Sequence, residues 1–102
     1  MRPAYPFRPI TGAQSTTLSV TSSSARVAIP ANPMQVRLST NGADAVCFVE
    51  FGDPTVTAAA ATGMRMGPGS IEVFSVPINA THIAAITASG TATLYVTPGS
   101  GA

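Results

Sequence analysis

The sequence predicts an all-β fold: an antiparallel β-sandwich, jelly-roll-like or immunoglobulin-like, with an extended N-terminal arm. Apolar and polar residues alternate with a period of two, and no stretch has a helical period of useful length. Turn-forming residues recur roughly every 8 to 12 positions, which is typical of sandwiches. The 102 residues are enough for one domain. We divide the chain into an arm (1–14), a sandwich (15–97) and a flexible tail (98–102).

The arm is predicted from its prolines. Three prolines within residues 1–14 fix φ and remove backbone donors, which excludes a helix or a central strand. Tyr5, Phe7 and Ile10 are costly to leave in water. The segment is therefore either a disordered tail or an arm that docks on a neighbouring subunit.

The first strands are predicted from alternation and turn signals. Residues 15–21 alternate Ser or Thr with apolar residues, which gives a strand with one face in water. Residues 26–30 form a short strand ended by a proline. Residues 34–39 alternate again until Asn41-Gly42, a pair that forms tight turns and tolerates positive φ.

The later strands follow the same rules. A short strand near residues 55–58 leads into four alanines, which are too few for a stable helix, so we expect a loop or a fragment of helix there. Residues 71–76 follow a Gly-Pro-Gly-Ser turn and form the next strand. Residues 82–87 and 91–97 close the series.

One predicted strand, residues 45–51, is apolar on both faces. Cys47 and Val49 lie on one face, while Val46 and Phe48 lie on the other. The second face needs a cover, which a loop, the N-terminal arm or another subunit can supply. We expect a symmetric oligomer or a docked neighbour here, with cover from within the chain as the alternative.

The charge composition argues against most binding functions. Charged residues are 9% of the chain, against about 25% in an average protein, and the net charge is +1. This is far from the basic excess that nucleic-acid binding needs. No stretch approaches the roughly 20 apolar residues of a membrane span, and no signal-peptide core follows the N-terminus. We expect a soluble protein that binds neither nucleic acid nor membrane and packs against neighbours.

The reactive residues are too few for most catalytic or metal sites. The chain has one histidine, His82, and one cysteine, Cys47, so neither a zinc site nor an internal disulfide is expected. No context marks any serine as a nucleophile. Asp44 and Asp53 fall in predicted turns, where aspartates commonly bond local backbone. The sequence predicts no enzyme, no metal and no cofactor.

Residues 63–70 are glycine-rich but lack the lysine of a phosphate-binding loop. We interpret them as a mobile, hairpin-like loop. Met64 and Met66 give this loop an adaptable apolar surface that suits a partner contact, and a solvated loop is the alternative.

Four segments within residues 34–101 carry a resemblance to a known class of proteins. They are VRLSTNG (36–42), FVEFG (48–52), PGSIEVF (68–74) and IAAITASGTA (83–92). In these segments the chain resembles small accessory structural proteins, of the decoration or cement type, of tailed bacteriophage virions. The resemblance is one of general pattern and covers about two thirds of the chain.

The resemblance implies a non-enzymatic virion protein, assembled in the host bacterial cytoplasm, that bridges major capsid subunits or other virion proteins. It also implies many symmetric copies, with a trimer favoured. The expected partner-binding residues are Arg2, Tyr5, Phe7, Arg8, Ile10, Val46, Phe48, Met64 and Met66. In this role Arg2 and Arg8 pair with capsid carboxylates. The alternative is a head–tail joining or fibre-associated module that binds a receptor or a carbohydrate. A cupin-like metal enzyme is disfavoured because it needs several histidines.

Overall fold

A computed structural model describes residues 8–9, 15–30 and 35–100. These residues form nine β-strands in two antiparallel sheets and no helix, which confirms the predicted all-β class. Accordingly, no helix in the described part of the chain is long and apolar enough to cross a membrane.

The strands follow one another with short connections. Their bounds are β1 Arg8–Pro9, β2 Thr16–Val20, β3 Ala25–Ala28, β4 Gln35–Ser39, β5 Cys47–Gly52, β6 Met64–Met66, β7 Ile71–Ser75, β8 His82–Thr87 and β9 Ala92–Ser100.

The strand pairing is nested. Strand β2 pairs with β9, β3 with β8, β4 with β7 and β5 with β6, as in one long hairpin. Two further pairings, β4 with β9 and β5 with β8, fold this ribbon into sheets. The first sheet has the order β2-β9-β4-β7, with β1 beside the end of β9, and the second has the order β3-β8-β5-β6.

Both sheets contribute alternate residues to a single hydrophobic cluster, so they lie face to face in a sandwich-like arrangement. The cluster includes Leu18, Val20, Val36, Leu38, Leu94 and Val96 from the first sheet, and Cys47, Val49, Met66, Ile83 and Ala85 from the second. The predicted inward face of 91–97 is confirmed, since its alternate apolar residues are buried. Phe51 and Phe74 join the two sheets by an edge-to-face ring contact with centroids 5.8 Å apart.

Three elements differ from the prediction. Strand β9 continues to Ser100, three residues beyond the expected end, and both Pro98 and Gly99 are buried. Residues 55–58 form no strand; they belong to a loop (53–63) in which the N–H of Gly63 donates to the carbonyl of Ala59 at 2.8 Å. Part of the expected mobile loop is instead strand β6, because three alternating residues are enough to pair with β5.

The predicted Asn41-Gly42 turn is present but does not use positive φ. The N–H of Asp44 donates to the carbonyl of Asn41 at 3.1 Å, which closes the turn. Positive φ occurs elsewhere among the described residues, at Gly69, Asn79 and Gly90. The pair therefore marks the turn correctly, although the backbone conformation is one that other residues also adopt.

Candidate interaction surfaces

Most of the expected contact residues in the arm lie outside the described residues; these are Arg2, Tyr5, Phe7 and Ile10. Arg8 belongs to β1, whose backbone pairs Arg8 with Ser100 and Pro9 with Gly99. This part of the arm therefore follows the edge of β9 within its own chain.

The outer face of β5 is covered by the chain itself. Gly63 lies so close to Phe48 that a Cβ atom at position 63 would be 2.9 Å from the Phe48 Cβ. Ala58, in the same loop, is buried, and its N–H donates to Ser24 Oγ at 2.8 Å. Val46 and Phe48 are both half-buried. The loop 53–63 thus packs against Phe48 from within the chain, so the apolar outer face at Phe48 does not require a docked neighbour.

The two methionines of β6 differ in exposure. Met66 is fully buried opposite Cys47, whereas 39% of Met64 is exposed. Both residues face the interior because β6 alternates, but Met64 lies where the edge of the sheet opens to water. The expected contact role of Met66 is therefore wrong, since a partner cannot reach its side chain.

Strand β7 is a surface that the sequence did not single out. It is an edge strand of the first sheet, and Ile71 and Val73 are 68% and 45% exposed on its outer side. Across the sheet, Ile71 pairs with Ser39, and Ser39 pairs with Tyr95, which is 37% exposed. The single charge in β7 is Glu72. Alternation predicted the strand but could not show that it lies at an edge, because pairing order is not encoded locally.

The edges β6 and β7 lie on the same side of the molecule. Strands β2 and β3 lie at one edge of each sheet and contact each other, so β6 and β7, at the other edges, lie on the opposite side of the molecule. We call this surface the β6–β7 side and define it by Met64, Arg65, Ile71, Glu72 and Val73. All five residues are exposed.

The two aspartates organise turns, as predicted. Asp44 Oδ2 accepts the N–H of Asn41 and the N–H of Thr93, both at 3.0 Å, and so ties its turn to β9. Asp53 Oδ1 accepts the hydroxyl of Thr55 at 2.6 Å and its N–H at 2.8 Å. These bonds favour the carboxylate and hold the pKa of Asp53 below its ordinary value.

The histidine and the cysteine are far less exposed to a ligand than the β6–β7 side. His82 is half-buried at the start of β8, with Nδ1 2.9 Å from Thr81 Oγ1. Cys47 is a free thiol in the core, and burial, followed by the charge of Asp44, raises its pKa. Within the described residues no three His, Cys, Asp or Glu side chains are grouped to hold a metal ion.

The comparisons with known proteins add no further constraint to this geometry. No protein-family model, curated protein or solved structure matches the chain.

Proposed function

We propose that this chain is a non-enzymatic structural protein of a virion, which decorates or cements a phage capsid by bridging major capsid subunits. The observation that carries the proposal is the nested strand order. It is supported by the resemblance of residues 36–42, 48–52, 68–74 and 83–92 to accessory virion proteins.

The strand order supports a jelly roll rather than an immunoglobulin-like sandwich. Strands β2–β9 pair as one ribbon, which folds into two sheets of four strands with β2-β9-β4-β7 facing β3-β8-β5-β6. This order matches the one expected of a jelly roll and differs from the grouping of strands in an immunoglobulin fold, so it supports the jelly-roll alternative. Jelly rolls recur in viral capsid domains, in lectins and in cupins. The resemblance to accessory virion proteins favours the viral class among these three.

The surface of the described residues also suits repeated weak contacts. Ile71, Val73 and Ile78 are exposed, and Ile78 stands at the tip of a turn with 89% of its surface accessible. Single exposed apolar residues are ordinary, but Ile71 and Val73 lie two residues apart on the outer face of one edge strand. Many copies that each add a small apolar contact across a capsid seam would hold the shell by avidity.

The role of the N-terminal arm in capsid binding can be tested by two deletions, one of which keeps β1 and one of which removes it. Deleting residues 1–12 removes the expected arm contacts together with β1, whereas deleting residues 1–7 keeps Arg8–Pro9 and its pairing with β9. We expect both variants to fold, as circular dichroism can show, and both to bind capsids more weakly than the full chain.

The measurement is the number of copies on purified particles from cells that make the full chain or either deletion. Stoichiometric copies of the full chain and reduced copies of both deletions support the proposal. Absence of the full chain from particles would refute the virion role. Full occupancy by both deletions would refute the role of the arm alone.

Tyr95 favours a second candidate, a head–tail or fibre-associated module that binds a receptor carbohydrate. It lies on the outer face of the first sheet beside Thr17 and Ser39, and its hydroxyl is 3.4 Å from Asn41 Nδ2. An aromatic ring among hydroxyl groups is suited to contact a sugar, and lectins are among the proteins with jelly-roll domains. A glycan array without a hit for the wild type would eliminate this candidate, and a hit that Tyr95→Ala abolishes would support it.

A further inference from the structure

We propose that a second copy of this chain docks on β7. The two β7 strands pair antiparallel about a two-fold axis at Val73, so that the first sheet continues from one copy into the next. This contact does not depend on the capsid role.

In the described part of the chain, β7 has an open edge. Its five residues pair with β4 on one side, and no other strand in the described part of the chain pairs with the opposite side. Natural proteins protect such edges with charges, prolines, bulges or very short strands. Strand β7 has no proline, one charge, and Ile71 and Val73 exposed on its outer face. Such an edge is a template for another strand.

The charges of the β6–β7 side suit a second copy as the partner. The side carries one base, Arg65, and one acid, Glu72, among the apolar residues Met64, Ile71 and Val73. It therefore has no net charge. Two copies of such a neutral surface carry no net charge with which to repel each other, whereas a strongly charged partner would find no matching surface.

The register follows from the sequence of β7. In an antiparallel pair, residues directly opposite each other point to the same face of the sheet. A two-fold axis perpendicular to the sheet must therefore pass between the two copies of one residue, which we call the residue at the axis. An axis at Glu72 would oppose two carboxylates. An axis at Val73 pairs all five residues, places Glu72 opposite Phe74 of the partner subunit, and extends the row of Arg37 and Val73 on the outer face.

The N-terminal arm of a neighbour is a poorer occupant of this edge. In a strand added to an edge, every second residue directs its backbone N–H and C=O groups toward the neighbouring strand. Pro3 is at an odd position and Pro6 at an even one, so in any register that includes both, one of them faces β7 with a nitrogen that carries no hydrogen to donate. A copy of β7 contains no proline, so each of its residues keeps its backbone N–H donor.

The first test is the mass of the wild-type protein and of Val73→Lys, measured by light scattering over a range of concentrations. We expect the wild type to approach twice 10.3 kDa. Val73→Lys opposes two ammonium groups at the axis, so we expect the dimer Kd to rise by about 100-fold or more. Thr17→Lys, on the opposite edge of the same sheet, is the matched control and should not change the Kd.

The second test is a cross-link that reports the register. Opposed Cα atoms in an antiparallel pair are about 4.5–5.5 Å apart, within the range that a disulfide spans. Val73→Cys should therefore form a covalent dimer under mild oxidation, while Thr17→Cys and the buried Cys47 of the wild type should not.

The proposal is overturned if the wild type remains monomeric at millimolar concentration, or if a dimer persists in Val73→Lys while Val73→Cys fails to cross-link. A wild-type trimer would also overturn it, because a two-fold pairing of β7 closes at two copies. Circular dichroism of each variant shows whether the sandwich is folded.

Discussion

Replacing Gly63 by alanine tests whether loop 53–63 covers the outer face of β5. An added Cβ would lie 2.9 Å from the Phe48 Cβ, 3.0 Å from the Ala59 carbonyl oxygen and 3.2 Å from the Phe48 carbonyl carbon. Two of these atoms belong to the backbone, and β5 is held by β6 on one side and β8 on the other. The strain therefore cannot be relieved by rotating a side chain, and the loop must shift.

The expected cost follows from two opposing effects. Overpacking costs about 1–3 kcal/mol, and alanine recovers about 0.4–1 kcal/mol by restricting the unfolded chain. The clash wins, so the free energy of unfolding falls by roughly 1–2 kcal/mol and Tm falls by about 4–16 °C. Thermal and urea unfolding followed by circular dichroism measure both quantities.

Gly42→Ala is the matched control. Position 42 has no atom within 4 Å of an added Cβ, and Gly42 does not have a positive φ. This variant should keep or slightly raise Tm. If Gly63→Ala is as stable as Gly42→Ala, the loop does not press on β5, and the cover must come from another part of the chain or from a partner.

Substitutions at Asp44, Asp53 and Met66 and one thiol assay follow from the same structure. Asp44→Ala leaves two backbone N–H groups without their acceptor, and we expect a loss of about 1–3 kcal/mol in urea unfolding, in contrast to a milder effect of Asp44→Asn. Asp53 has a lowered pKa, so its carboxylate stabilises the fold above the ordinary value of 3.8 and this stabilisation is lost as pH falls through the lowered value. The stability difference between wild type and Asp53→Asn should therefore shrink in acid, and a difference independent of pH would contradict this. Met66→Ala should cost about 2–5 kcal/mol because the side chain is fully buried, whereas the same change at Met64 should cost much less. Cys47 should react with a thiol reagent only after unfolding in urea, and rapid reaction of the native protein would show that the core is open.

Alternation predicted which residues form the core, because the side-chain period of a strand is fixed by its geometry. Val36 and Leu38 are an example: both were expected on one face of a strand, and both are fully buried. The end of β9 was missed because the expected boundary was set by Pro98, which ordinarily marks the end of a central strand. Among the described residues, the strand partners of residues 97 and 98 lie on the β4 side only, between the segments of β9 that pair with β2 and β1. Pro98 therefore lies outside the segment of β9 that pairs with β2, and its missing N–H interrupts no hydrogen bond between those two strands.

The candidate surfaces were harder to predict than the core. Met64 and Met66 look equivalent in the sequence, but one lies at an open edge and the other is sealed in the core. Similarly, Ile71 and Val73 alternate with Glu72 and Phe74 as core residues would, and only the strand order places them at an edge. Exposure depends on contacts between residues that are distant in the sequence, and a local pattern carries no information on these.

The nested pairing also has a consequence for the order in which the fold can form. Strand β9 pairs with β1, β2 and β4, although it follows all three in the sequence. Without β9 the first sheet has no centre, and Leu18 and Val20 have no strand paired beside them. The pairings β3–β8, β4–β7, β5–β6 and β5–β8 need no part of β9, and β5–β6 closes the shortest loop among them. Chains truncated before residue 92 can therefore pair the strands of the second sheet, but they expose apolar residues of β2 and β4 that can associate.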